Sequence, residues 1–225
     1  MRADALAFDL DGTLVDSAPD IAAALAAALR AEGFGSFELR VVRAWIGDGP
    51  DVLIRRALAA HGLDNPAPEL LRRLRAHFDT TTLAAPLAHG RVFEGIEAVL
   101  DGLSEVLPIA VVTNKPTKLA CAVVQAAGLM PYVTEVLGAD TPALRKPEPA
   151  LLHTAARQLG VAASRLLMVG DGPADLQAAA AAGCPAALVD WGYGGVADPG
   201  PAVWRLRAPQ QLLALLPRQA AQAGL

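Results

Sequence analysis

A chain of 225 residues can bury one sizeable core and has length left over for a small second module. With 53 % hydrophobic and 19 % charged residues, much of the former alanine, it is a folding sequence rich in helix formers, not a disordered one. A net charge of −4 excludes the basic footprint of a nucleic-acid binder or of a protein drawn to anionic membranes.

The N-terminal run MRADALAFDLDG has one basic residue and an acid inside its apolar stretch, which argues against a secretory signal. The longest apolar run, IAAALAAALRA, is too short and too alanine-rich to span a bilayer. Cys121 and Cys184 lack metal-ligand spacing and read as small packed residues in a reducing compartment. The expectation is a soluble cytoplasmic protein, monomer or homodimer, without a nucleic-acid or membrane partner.

The first β-like run is ALAFDL at 5–10. From residue 17 to about 84 only helical patterns follow. SAPDIAAALAAALRAEGF starts like a capping box, with Ser17, Asp20 three residues on and Pro19 in the first turn, and Gly33 closes it. PDVLIRRALAAHG and APELLRRLRAHFDTTTL continue the helical segment. Past a crossing at 84–92, strand and helix alternate. PIAVVT (108–113), RLLMVG (165–170) and PAALVD (185–190) are nearly continuous apolar runs, and VTEVLG (133–138) is a weaker one. Helices are expected at about 94–106, 116–128, 148–160 and 173–183, and LRAPQQLLALLP reads as a closing helix. Continuous apolar strands alternating with helices imply an α/β fold, a doubly wound parallel sheet. The expected division is an α/β core from 1–16 and 86–225, with an all-helical domain of 17–85 inserted after the first strand.

In an open parallel sheet, ligands bind beyond the carboxyl ends of the strands. Those ends carry Asp9 and Asp11 (DLDGT), Thr113, Asn114 and Lys115 (TNKP), Lys146 (RKPEP), and Asp171 and Asp175 (GDGPAD). Carboxylates gathered on one rim repel unless a cation joins them. An all-oxygen set without histidine suits a hard ion such as Mg²⁺, and His61, His77, His89 and His153 have no ligand spacing. A lysine and a hydroxyl at the same rim suit a phosphate. A carboxylate can also accept a phosphoryl group, and a second one two residues on can serve the leaving oxygen and then water. Structural readings stand beside these. Asp-Gly is a common turn pair, Asp175 would complement the dipole of a helix starting at Pro173, and a lone Lys146 would ordinarily be a solvated surface residue.

WIGDGPDVL at 45–53 echoes VGDGPADLQ but joins two helices. Gly47, Asp48 and Gly49 could bring free backbone N–H groups to a ligand. Arg43, Arg55 and Arg56 lie nearby and could meet a carboxylate, although arginines on such helices are more often a wet face, and the sequence does not choose among them. WGYGG at 191–195 reads as a flexible turn after the last strand.

DLDGTLVDS, VTNKP, RKPEP and GDGPADLQAAAAAG, in this order, resemble the four signature motifs of the haloacid dehalogenase (HAD) superfamily of phosphatases. The resemblance covers nearly the whole chain, and the helical insert looks like that superfamily's cap on a Rossmann-like core. Within the superfamily, SAPDIAAAL, RAWIGDGPDVLIRRAL, VTNKP, AAGCP and GYGG look most like its phosphoglycolate phosphatases, and the resemblance leaves room for a contact of the GYGG turn with the site. The resemblance implies Asp9 as nucleophile and Mg²⁺ ligand, and Asp11 as acid/base whose backbone carbonyl binds the metal. It further implies Thr113 and Asn114 on the phosphate, Lys146 bridging nucleophile and phosphate, Asp171 as a metal ligand and Asp175 orienting the metal's water shell. The expected substrate is a small anionic phosphoester, 2-phosphoglycolate first. A sugar-phosphate phosphatase or pyrophosphatase is the nearer alternative and a sugar phosphomutase the more distant. Two positions depart from the pattern: Gly172 stands where the family often has serine, and Asp48 where relatives often have asparagine.

Overall fold

The computed structural model describes residues 3–215. In chain order its strands are β1 (Ala5–Phe8), β2 (Val15–Asp16), β3 (Arg91–Val92), β4 (Ile109–Thr113), β5 (Glu135–Gly138), β6 (Leu166–Gly170), β7 (Ala186–Val189) and β8 (Trp204–Leu206). The helices are α1 (Ala18–Ala31), α2 (Leu39–Arg43), α3 (Pro50–Ala60), α4 (Pro68–Ala84), α5 (Ile96–Ser104), α6 (Thr117–Ala126), α7 (Ala150–Gln158), α8 (Pro173–Ala182) and α9 (Gln211–Leu215). The helix expected over LRAPQQLLALLP seats Leu212 in the core; residues 216 and 217 of that stretch lie outside the described residues.

Six strands form one parallel sheet in the order β5-β4-β1-β6-β7-β8. Every residue of β1, β4, β6 and β7 is buried, because helices cover both faces; this is why these strands read as nearly unbroken apolar runs. The two-residue period of a strand divides β1 between two cores. Leu6 and Phe8 pack with α5, α6 and Leu212 of α9, while Ala5 and Ala7 pack with α7 and α8. The chain leaves β1, builds β4 and β5 outward on one side, then returns to lay β6 on the other. The reversal opens a crevice at the carboxyl end of β1, where such sheets bind ligands.

α1–α4 bury a third core of their own, including Leu25, Leu29, Ile54, Leu58, Leu74 and Phe78. Burying such a side chain contributes roughly 1.5–3 kcal/mol. Leu119 of α6 joins this cluster, so the helical segment also packs on the sheet body.

Three features differ from the sequence reading. The two crossings between helical segment and sheet body are paired, as β2 and β3 form an antiparallel ribbon with Val15 opposite Val92 and Asp16 opposite Arg91. The capping box does not form: no side chain caps α1, Ser17 donates its hydroxyl to Asp11 (2.5 Å), and Asp20 turns back to the return crossing. There its carboxylate accepts backbone N–H bonds from Ala88, His89 and Gly90 at 2.7, 2.9 and 2.7 Å. β8 extends the sheet beyond the last expected strand.

Candidate active site

The crevice gathers the strand-end residues. Asp9 follows β1 directly, held in line by its N–H to the Val169 carbonyl (2.9 Å). Lys146, 2 % exposed, places Nζ 2.8 Å from Asp9 Oδ1, 2.7 Å from Asp175 Oδ1 and 2.7 Å from the Val112 carbonyl. Its three ammonium protons are thereby used. Among the described residues, Asp9 Oδ2 has no protein hydrogen bond, so one carboxylate oxygen is fixed by the lysine and the other faces the crevice.

Asp171 and Asp175 come from the β6–α8 turn. Asp175 accepts the Gly172 N–H on Oδ2 (3.0 Å), closing the start of α8 while its other oxygen serves Lys146. The helix-start and site readings of Asp175 therefore hold together. Asp171 accepts the Thr13 hydroxyl on Oδ1 (3.1 Å) and the N–H groups of Tyr193 and Gly194 on Oδ2 (2.6 and 3.1 Å). The WGYGG turn thus contacts the site through the N–H groups of Tyr193 and Gly194. The tyrosine hydroxyl also donates to Asp16 (2.7 Å) and accepts the Ala18 N–H (3.0 Å), which ties this turn to the first crossing. Gly12 is obligatory here: it has φ +93°, and a Cβ would lie 2.5 Å from Asp171 Oδ2. Gly172 is not. A Cβ there meets only Asp175 Oδ2 at 3.6 Å, so the departure from serine leaves room rather than a clash.

Oxygens of Asp9, Asp171 and Asp175 lie within 4.8 Å of one another. Burial, opposed by Lys146 and reinforced by Asp175 and Asp171, pushes Asp9 up to about 7. Burial and then Asp175 push Asp171 up to about 6, against the pull of the Tyr193 N–H and the Thr13 hydroxyl. Burial alone would lower Lys146, but Asp175 and Asp9 hold it above the usual lysine range. Three close carboxylates with one shared lysine are short of positive charge. The set is all oxygen and fits a hard divalent cation.

Asp11 lies at the same crevice, but its carboxylate is outside that trio. It pairs with the buried Lys115 (2.8 Å) and with Ser17. Sequence reasoning saw Lys115 at the strand end without giving it a partner; a lysine just after a buried strand has to find one. Thr113 lines the crevice and accepts the Lys115 N–H on Oγ1 (3.2 Å). The Asn114 side chain is occupied by main chain, donating to the carbonyls of Gly47 (2.8 Å) and Lys146 (3.0 Å) and accepting the Lys146 N–H (2.7 Å).

That contact brings the 47–49 loop onto the site. Gly49, at φ +81°, lies so close that a Cβ would be 2.8 Å from the Asn114 carbonyl oxygen. The loop and α3 roof a small cavity of about 40 Å³ lined by Asp9, Asp11, Thr113, Ile46, Leu53 and Phe78. A larger one of about 340 Å³ opens beside it between Asp9, Lys146 and Asp171 on one side and Arg43 of α2, Asp48 of the loop and Arg56 of α3 on the other. The Asp48 charge is balanced in place, because Arg56 bonds its carboxylate (2.5 Å) and the Trp45 carbonyl (2.7 Å).

A doubly wound sheet whose switch-point crevice holds an acidic trio, one member of it clamped by a lysine, is the site of an α/β enzyme, and the family comparison gives its class as a hydrolase. The model of the haloacid dehalogenase-like hydrolases matches residues 3–183, and the chain belongs to that family. It is 39 % identical to the phosphoglycolate phosphatase of Yersinia pseudotuberculosis over 189 residues, 84 % of this chain and 81 % of that one. The phosphoglycolate phosphatase of Escherichia coli K12 is 39 % identical over 206 residues, with the same two coverages of 84 % and 81 %. Among solved structures, a predicted phosphoglycolate phosphatase from Haemophilus somnus 129PT superposes with a TM-score of 0.87 at 28 % identity, over 96 % of this chain and 98 % of that one. No helix among the described residues is long and apolar enough to cross a membrane.

Proposed function

We propose that this chain is a magnesium-dependent phosphomonoesterase that works through an aspartyl-phosphate on Asp9 and hydrolyses 2-phosphoglycolate to glycolate and phosphate. The observation that carries the reading is the Asp9 carboxylate, with one oxygen clamped by Lys146 and the other free toward the crevice. The phosphatase relatives support the reaction class, and their names support the substrate.

Asp9 Oδ2 attacks phosphorus, and the bond from phosphorus to the alkyl oxygen breaks. Asp11, positioned by Lys115 and Ser17, takes up a proton from water and passes it to the departing alkoxide. It then takes a proton from water, whose oxygen attacks the acyl phosphate; inorganic phosphate leaves and the Asp9 carboxylate is restored. Lys146 holds Asp9 in aim and shields its charge from the incoming anion. Thr113 and the main chain at Asn114 border the phosphate. Asp9, Asp171 and the Asp11 carbonyl would hold Mg²⁺, with Asp175 acting from behind. When bound, the ion supplies positive charge to draw phosphate and carboxylate together. Residues 17–85 act as a lid on the core of 1–16 and 86–225, with Gly47, Asp48 and Gly49 facing the substrate. The setting is cytoplasmic.

The test is Mg²⁺-dependent phosphate release from 2-phosphoglycolate by the wild type and by Asp9→Asn. The variant should lose at least 10³-fold in kcat, on the scale of removing a nucleophile. Equal turnover by the two proteins would refute the assignment of Asp9.

A further inference from the structure

We propose that Arg43 reads a second anionic group on the substrate, a carboxylate on the leaving-group side, and thereby sets the preference for short phosphorylated hydroxy acids over neutral phosphoesters. This rests on the phosphatase reading above and gives it a specificity residue.

The three arginines of the helical segment are not equivalent in the structure. Arg55 faces a separate small cavity with Asp51, Ile54 and Leu71, away from Asp9. Arg56 lines the 340 Å³ cavity, but its guanidinium is committed to Asp48 and to the Trp45 carbonyl, which stiffens the 47–49 loop. Arg43, the last residue of α2, lines the same cavity as Asp9, Lys146 and Asp171 and is loosely held. Among the described residues its one ion contact is to Asp16 at 3.6 Å, and its Cζ lies 5.4 Å from the centroid of the Tyr193 ring. No closer hydrogen bond engages its guanidinium among the described residues.

Charge points the same way. The cavity is lined by Asp9, Asp11, Asp48, Asp171 and Asp175 against Arg43, Arg56 and Lys146. Lys146 is shared by Asp9 and Asp175, and Arg56 by Asp48 and a carbonyl. Of these three cations, Arg43 is the one with donors to spare for an incoming anion. A planar guanidinium presents two parallel N–H groups, the arrangement that matches a carboxylate. The seat also gives Arg43 an address relative to the reacting atoms. The Tyr193 ring supports it from below, the Tyr193 hydroxyl holds Asp16, and the Tyr193 N–H holds Asp171.

The experiment compares 2-phosphoglycolate with 2-hydroxyethyl phosphate, a substrate of similar size that lacks the carboxylate, under saturating Mg²⁺. The readout is the ratio of their kcat/KM values in the wild type, Arg43→Gln and Arg43→Lys. The wild type should prefer the carboxylate ester. In Arg43→Gln the ratio should fall about tenfold, equivalent to about 1.4 kcal/mol, mostly through KM for 2-phosphoglycolate. Arg43→Lys should recover part of the ratio, because it keeps the charge without the fork. A wild type without preference, or a Gln variant whose ratio stays within twofold of wild type, would overturn the role of Arg43 while leaving the phosphatase standing. A wild type that releases phosphate from neither ester would remove the phosphatase reading itself.

Discussion

Replacing Lys146 with methionine tests the centre of the site. The substitution keeps most of the side-chain volume and removes a charge that is 2 % exposed. Nζ lies within 2.8 Å of both Asp9 and Asp175 and donates to the Val112 carbonyl, so its loss strands two carboxylates and a main-chain oxygen. Breaking a buried ion pair by deleting one partner costs about 3–5 kcal/mol. At roughly 2–4 °C per kcal/mol for a chain of this size, Tm should fall by about 6–20 °C at pH 8 in a chelator. The loss should depend on pH. Asp9 is already lifted to about 7 with the lysine in place, and without it the carboxyl rises further. The folded variant therefore binds more protons than the folded wild type as pH approaches neutrality, and its penalty grows from pH 5.5 to pH 8. Lys146 itself stays charged across this window, since its partners hold it above the usual lysine range. Thermal melts of both proteins at the two pH values, in EDTA, provide the measurement. A loss under about 1 kcal/mol, or one equal at both pH values, would refute the picture of a buried, shared lysine.

In Tyr193→Phe, the ring and the main-chain bond to Asp171 remain, while Asp16 and the Ala18 N–H lose the hydroxyl. Stability should drop by about 1–3 kcal/mol in a thermal melt, and the Mg²⁺ midpoint for activation should stay within twofold; a tenfold shift in that midpoint would contradict a main-chain hold on Asp171. For the metal-free wild type, Asp9 at about 7 and Asp171 at about 6 lie above the carboxylate value of 3.8. Their contribution to stability is therefore fully present below about pH 4 and is lost as pH rises through 6 to 7. Saturating Mg²⁺ should raise Tm by an increment that grows from pH 5 to pH 8, and a constant increment would count against the trio as the cation site.

The parallel core was legible because strands buried on both faces must be largely apolar, and β1, β4, β6 and β7 are, apart from Thr113 at the carboxyl end of β4. The two-residue strands β2 and β3 have no period to read, and their pairing depends on where two distant crossings meet. Asp20 was misread for a related reason. Its spacing from Ser17 satisfies a local rule, but three N–H groups some seventy residues away outbid it. At the site, sequence identified the residue types at the strand ends, because the switch point of the sheet dictates which ends converge. It did not divide the carboxylates between the two lysines, Asp9 and Asp175 to Lys146 and Asp11 to Lys115, since that depends on side-chain direction. Tyr193 was visible only as part of the GYGG resemblance, and its bonds to Asp16, Ala18 and Asp171 follow from a turn folding back over Asp171.

Asn114 spends one amide proton on the Gly47 carbonyl and the other on the Lys146 carbonyl, while its oxygen keeps the Lys146 N–H. The three bonds are separable. Swinging the 47–49 loop outward ruptures the first, a neutral hydrogen bond worth about 1 kcal/mol, and leaves the two on Lys146 untouched. On the function proposed above, outward movement of that loop would open a way out for product without disturbing the two bonds that seat the Lys146 main chain.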